Sequence, residues 1–330
     1  MKISFVLPGV SRVPVGGYKM IFEYANRLCR RGHEITLIFH CFSGMNRNQK
    51  VPKFIKLIYY YLGAHYFPTW FTLDPRVHKI CRYKKLIDSE IPDGDVICAT
   101  AIDTAYAVAK LPTSKGEKIY FIQDYENWNG WTDDEVKKSY CLGMKNIVIA
   151  KWLQKIVKDA GADSVLIPNG IDFSVFDVDI PISQRRKPVI SMLYHKDEHK
   201  GAKYGIEALN RLKELYPDLQ AILFGTPARP NNLPDWIQYV QNATQNQLRK
   251  IYNQSLIYLC PSIKEGFGLT GAEAMACGAA YVASDYGGVH EYTEEGRNVL
   301  LSAPRDIKGL VNNVSQLLNN DEKRIQIAKN

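Results

Sequence analysis

Long apolar runs are missing from this chain of 330 residues: none approaches the roughly 18 apolar residues that read as a membrane-spanning helix. The opening run Met1–Leu7 stops at Pro8-Gly9, too short for the apolar stretch of a secretion signal. Paired cysteines are missing too. The seven, Cys29, Cys41, Cys81, Cys98, Cys141, Cys260 and Cys277, are odd in number and none forms Cys-x-x-Cys. That argues against a disulfide framework and against a zinc site. Most lie in apolar runs, as small core residues of a protein held in a reducing compartment would, so a cytoplasmic location is expected. The fingerprint Gly-x-Gly-x-x-Gly is absent from the first strand–helix turn, which counts against a nicotinamide enzyme. No basic stripe with a nucleic-acid-binding motif occurs, so no nucleic acid is expected as partner. The excess of 42 basic over 34 acidic residues, a net +8, favours anionic partners without choosing among them.

What is present is alternation. Ile3–Leu7, Glu34–Phe39, Val96–Ala99, Lys118–Ile122, Ile147–Ile149 and Ser164–Ile167 read as short buried strands with helices between them. A polar stretch, Asp177–Pro188, reads as a linker. The pattern restarts at Val189–Leu193 and continues through Gln220–Phe224, Leu256–Cys260 and Ala280–Ala283. Strand–helix alternation of this kind predicts an α/β chain with doubly wound parallel sheets. Two domains follow, 1–175 and 176–330. Residues 50–85 break the rhythm: Lys50, Lys53 and Lys56 lead into Leu57–Leu62, and Tyr66, Phe67, Trp70 and Phe71 follow. Lysines beside aromatics suit either a buried helix with a basic outer face or contact with the inner membrane surface or an acceptor.

The densest information lies in Ile263–Gly278. Glu265 and Glu273 flank a glycine-rich segment, Gly266-Phe267-Gly268-Leu269-Thr270, which follows a buried strand and opens an Ala-rich helix. Such a turn turns free backbone N–H groups and the positive end of a helix dipole toward one point, a setting for phosphate and sugar oxygens. Gly16-Gly17, between the first strand and first helix, permits a similar close approach. His195 and Lys200 bracket a charged loop after the restart strand. Gln123, Asp124 and Glu126 stand at the carboxyl end of a first-domain strand, where ligands meet open α/β sheets. Asp177-Val-Asp179 has no strand leading into it and reads as solvated, and no metal is expected.

The string Glu265–Gly278 resembles the signature of glycosyltransferase family 4, retaining enzymes of the GT-B fold. Gly16-Gly17, Arg31-Gly32-His33, Pro168–Asp172, Lys200-Gly201 and Gly287-Gly288 are similar to the family at their places too. The resemblance implies two Rossmann-like domains facing across a cleft, acceptor side first. It implies transfer of a hexosyl or deoxyhexosyl group from a nucleoside-diphosphate sugar to a glycan, glycolipid or polyprenol-linked acceptor, as in cell-surface polysaccharide synthesis. No metal and no cofactor beyond the nucleotide sugar are implied. On this reading Lys200 and His195 lie against the diphosphate with the amides of Gly16, Gly17, Leu269 and Thr270. Glu265 and the amides of Gly266, Phe267 and Gly268 hold the sugar, and Glu273 holds the ribose. Asp124 touches sugar and acceptor. The family usually has an arginine where His195 stands, so either His195 or Lys196 takes over its contact. That departure also keeps open a non-catalytic nucleotide-sugar-binding subunit of the same fold.

Overall fold

A computed structural model describes every residue except 42–51, 83–85 and 129. The chain forms two compact units, Met1–Pro168 and Asn169–Asn330.

The first unit runs β1 (Lys2–Leu7), α1 (Gly16–Arg30), β2 (Glu34–His40), α2 (Lys53–Tyr66), β3 (His78–Arg82), β4 (Val96–Ala99), α3 (Ile102–Val108), β5 (Glu117–Ile122), α4 (Asp133–Tyr140), β6 (Lys145–Val148), α5 (Lys151–Asp159) and β7 (Ser164–Leu166). Its seven strands pair in parallel in the order β3-β2-β1-β4-β5-β6-β7. β1 and β2 are buried almost throughout, as apolar strands covered on both faces must be. α1 turns Met20, Ile21, Phe22, Ala25 and Cys29 inward at helical spacing and stops before Gly32, whose φ of 86° suits glycine. α4 begins on a capping box: the Thr132 hydroxyl accepts the Glu135 amide, and the Glu135 carboxylate accepts the Thr132 amide.

The second unit runs β8 (Val189–Leu193), α6 (Ala202–Leu215), β9 (Gln220–Gly225), β10 (Ile237–Gln241), α7 (Gln245–Gln254), β11 (Ile257–Cys260), α8 (Leu269–Ala276), β12 (Ala280–Ser284), β13 (Val299–Ser302), α9 (Ile307–Leu318) and α10 (Asp321–Lys329). Six parallel strands lie in the order β10-β9-β8-β11-β12-β13. Alternate residues of β9 feed two cores. Ala221 and Leu223 pack with Leu209, Leu212, Val314 and Leu317, while Ile222 and Phe224 pack with Tyr252, Tyr258, Ala274 and Tyr281. In each sheet the strand order reverses beside the strand that opens the unit, between β1 and β4 and between β8 and β11. Those are the points where ligands enter such folds.

Two expectations from the sequence need correcting. The stretch 177–187 is mostly exposed, as expected, but it is no free linker, because it is bonded to the second unit. The amide of Asp179 donates to Asn253 Oδ1 at 2.6 Å, and its carboxylate pairs with Arg249. Arg185 is buried. Its guanidinium donates to the carbonyls of Tyr252 and Ser255 at the end of α7 and of Cys277 and Gly278 at the end of α8. The partly negative ends of two helices thus hold one cation.

The buried-helix reading also fails for the described side chains of α2, while Trp70 and Phe71 beyond it pack on Phe22. Lys50 lies outside the described residues, but α2 presents Phe54, Ile55, Ile58, Tyr59, Tyr61, Leu62 and Tyr66 to solvent, Phe54 and Tyr61 about two-thirds exposed (64% and 67%). Its buried positions include Lys56 and Gly63. The described apolar side chains of the helix therefore face solvent. Among the described residues no helix is long and apolar enough to cross a membrane.

Candidate active site

The second unit assembles a site at its switch point. Gly201, at φ 62°, ends the loop after β8 so close to the loop after β11 that a Cβ there would lie 1.9 Å from the Pro261 carbonyl oxygen. The amides of Ile263 and Lys264 close the gap from the other side, donating to the His199 carbonyl at 2.7 and 3.2 Å. This stitching brings Lys200 Nζ to 3.4 Å from Glu265 Oε1, which also accepts the Ser262 hydroxyl at 2.6 Å. Glu265 is buried and Lys200 partly exposed. The loop after β12 supports the same segment, since Glu265 pairs with Gly287 and Gly288 packs on the carbonyls of Glu265 and Gly266. An ion pair with its acidic member buried and its basic member reaching solvent can hold a hydroxyl on one side and offer positive charge on the other.

His195 completes the cluster without adding a second cation. Its Nδ1 accepts the Asp197 amide at 3.0 Å, which leaves the ring proton on Nε2 as an outward donor. Burial pushes the imidazole pKa below its ordinary value and Lys200 adds to that, outweighing the opposing pull of Asp197 and Glu265. His195 is thus a single neutral donor near pH 7. Lys196 is exposed beside it.

Gly266, Phe267 and Gly268 are buried, and Gly268, left-handed at φ 87°, caps α8. The N–H groups of Leu269 and Thr270 open the helix and donate to nothing among the described residues. Five tyrosines stand behind this segment. Tyr292 donates to the Gly268 carbonyl at 2.9 Å, and the hydroxyls of Tyr281, Tyr286 and Tyr292 bond one another at 2.7–3.5 Å. A Cβ at Gly268 would meet the Tyr286 hydroxyl at 2.0 Å, and one at Gly271 the Tyr281 hydroxyl at 2.4 Å, so glycine is obligatory at both. Tyr258 donates to Thr270 Oγ1 at 2.8 Å, and Tyr252 to Glu273 Oε2 at 3.4 Å. Burial raises the pKa of each phenol, so all five stay protonated.

Among the expected residues, the structure gathers Lys200, His195 and Glu265 and sets Gly266–Thr270 directly after them. Glu273 is buried one turn into α8, where its Oε2 accepts the Tyr252 hydroxyl at 3.4 Å. Ser262 and the tyrosines escaped the sequence reading because they look like ordinary strand and turn residues. In the first unit, Gly16 and Gly17 form the first turn of α1, and Gln123 lies behind them, 3.3 Å from where a Gly17 Cβ would be. Asp124 follows β5 and accepts the Tyr125 amide at 2.8 Å. Glu126 is engaged structurally: its Oε2 accepts the Ile102 amide at the start of α3. Among the described residues no group of three or more His, Cys, Asp or Glu could hold a metal ion.

Residues 178–330 match the family model described as "Glycosyl transferases group 1". The alpha-maltose-1-phosphate synthase of Mycolicibacterium smegmatis is 29% identical over 154 residues, 42% of this chain and 36% of the relative, so the match spans little more than a third of that protein. Among solved structures, sucrose-phosphate synthase from Thermosynechococcus elongatus aligns with a TM-score of 0.75 at 14% identity, covering 99% of this chain and 92% of the other. Anabaena Alr3699/HepE in complex with UDP and glucose aligns at 0.72 and 19%, covering 100% and 93%. At such identities the structures show the fold, which is that of the GT-B glycosyltransferases.

Proposed function

We propose, from the match of 178–330 to the family model of group 1 glycosyl transferases, that this chain is a retaining enzyme which moves a hexosyl or deoxyhexosyl group from a nucleoside-diphosphate sugar. The acceptor is a glycan, glycolipid or polyprenol-linked saccharide of the kind used in cell-surface polysaccharide synthesis. The observation that carries this reading is the Lys200–Glu265 pair at the switch point, followed at once by the open amides of α8.

Each group has a task set by its chemistry. Lys200 and the amides of Leu269 and Thr270 stabilise charge that builds on the departing diphosphate, where preorganised donors act most strongly. His195 gives that phosphate one neutral hydrogen bond through Nε2. Glu265, paired with Lys200, accepts sugar hydroxyls together with donation from the amides of Gly266–Gly268. Glu273 accepts from the ribose. The leaving diphosphate takes the acceptor proton on the face it departs from, so placement and charge stabilisation suffice and neither a protein base nor a metal is required. In the first unit, Gly16 and Gly17 offer amides to phosphate oxygens, and Asp124 touches sugar and acceptor.

The work is proposed to take place at the inner face of a membrane. Residues 1–168 carry 24 basic and 16 acidic residues, against 18 and 18 in 169–330, so the whole net charge resides in the unit that bears the outward apolar face of α2. Apolar side chains beside excess positive charge suit an anionic bilayer.

A panel of nucleoside-diphosphate sugars screened by thermal shift, with the best binder then tested for transfer and slow hydrolysis, tests the reading. Failure of every sugar nucleotide to bind would refute it. Binding without turnover would leave a non-catalytic binding subunit, the outcome that the neutral His195 in place of an arginine favours.

A further inference from the structure

The hydroxyl of Thr270 has two functions to divide, one as acceptor and one as donor. Tyr258 occupies the acceptor role from below at 2.8 Å. Its own ring is fully buried on β11, edge-on to Tyr252 and stacked on Tyr281, with ring centroids 5.6 and 5.9 Å away. It has little freedom to aim elsewhere. Either hydroxyl is able to donate, and the geometry of the contact runs from the Tyr258 hydroxyl to Thr270 Oγ1. Among the described residues nothing accepts the proton of Thr270. That proton must therefore point away from Tyr258, and Thr270 stands half-buried in the first turn of α8 where the Leu269 and Thr270 amides are open.

A buried tyrosine hydroxyl costs free energy unless it is bonded, and phenylalanine would fill the same space. The placement of an oxygen at this position is thus explained by what it does to Thr270. We infer that Tyr258 is a positioning residue: by filling the acceptor lone pair of Thr270 it turns the threonine proton outward, as a third donor beside the two amides, toward a phosphate oxygen of the bound nucleotide. This deepens the proposed function and rests on it. Tyr258 touches no ligand and acts only through Thr270.

The test is a double-mutant cycle on nucleoside-diphosphate affinity, read by calorimetry on the full chain with the diphosphate alone. Tyr258→Phe is expected to weaken binding about five-fold, the effect of losing one net hydrogen bond. Thr270→Val is expected to weaken it by a similar or larger factor. The double variant is expected to bind no worse than Thr270→Val, because the tyrosine has nothing left to orient. Tyr140→Phe serves as control: that hydroxyl is buried in the first unit without a hydrogen-bond partner among the described residues, and its loss should leave affinity unchanged. Multiplying losses in the double variant, or full affinity in Tyr258→Phe, would overturn the inference while leaving the proposed function intact. Absence of nucleotide binding by the wild-type chain would instead overturn the function beneath it.

Discussion

Replacing Arg185 by methionine should cost the second unit several kcal/mol and loosen the helix that carries Glu273. The magnitude follows from the donors it uses. The guanidinium serves the main-chain oxygens of Ile180, Ser255, Cys277 and Gly278, none of which has another donor among the described residues. The oxygens of Ser255, Cys277 and Gly278 are buried, whereas Ile180 is exposed and water can replace its donor; at about 1–3 kcal/mol for each buried acceptor left unsatisfied, the gross loss is about 3–9 kcal/mol. Against this stands relief of burying a charge, which already holds the guanidinium pKa down at about 10 from 12.5, a penalty of about 3 kcal/mol. The remainder of roughly 0–6 kcal/mol spans the loss of about 3–5 kcal/mol usual when one side of a buried charged network is deleted. For a unit of 162 residues that corresponds to a fall in Tm of about 10 °C. Urea unfolding with hydrogen exchange on peptides from 245–278 would measure it, protection there falling first. Arg185→Lys should be intermediate, since an ammonium cannot reach both helix ends with a planar fork. A loss below about 1 kcal/mol in Arg185→Met, with exchange unchanged, would show that solvent satisfies those carbonyls and that the clamp is incidental.

Lys200→Met is expected to slow transfer about 10²- to 10³-fold, as loss of a single charge-stabilising donor does, with nucleotide affinity falling less; wild-type rates would remove Lys200 from the mechanism. Glu273→Ala should act on nucleotide affinity and Glu265→Gln on turnover, a split that calorimetry and steady-state rates resolve and that equal effects on both would contradict. His195 should resonate as the neutral Nε2–H tautomer at pH 7, and Lys200→Met should raise its pKa. Because its native pKa lies below the ordinary 6.5, the unfolded chain binds the proton first. This residue's contribution to stability should therefore decline as pH falls from about 6.5 through the native value, and a His195→Asn variant should lack that component. Ile58→Asp with Leu62→Asp should abolish flotation with anionic vesicles at low salt while leaving Tm within about 2 °C, both side chains being exposed; unchanged flotation would end the membrane reading.

Much of this organisation was legible because it is local. The strand Val189–Leu193 and helix Gln245–Gln254 fall where periodicity put them, and the glycine string at 265–278 announces its turn by residue type. Burial of charge was not legible. Arg185 sits in a polar run that looks solvated, and only the three-dimensional meeting of two helix ends explains its position. The same holds for α2, whose composition fits either an inward or an outward apolar face; orientation is decided by its neighbours. Tyr258 and Tyr281 read as core, which they are, yet their hydroxyls are aimed by contacts that no spacing rule encodes. His195 was recognisable as a departure from the family, but its tautomer depends on one amide two residues away.

The interlock of ring oxygens with Gly268 and Gly271 also limits how this protein can be altered. Neither glycine can gain a methyl group while the opposing phenol stays, and removing that phenol alone leaves a polar gap beneath the loop. Changes here must come in matched pairs drawn from β12 or its following turn and from the glycine segment. Attempts to retarget the donor by single substitutions at 266–271 should therefore stall, whereas libraries that vary Tyr281, Tyr286 and Tyr292 together with the loop have room to move.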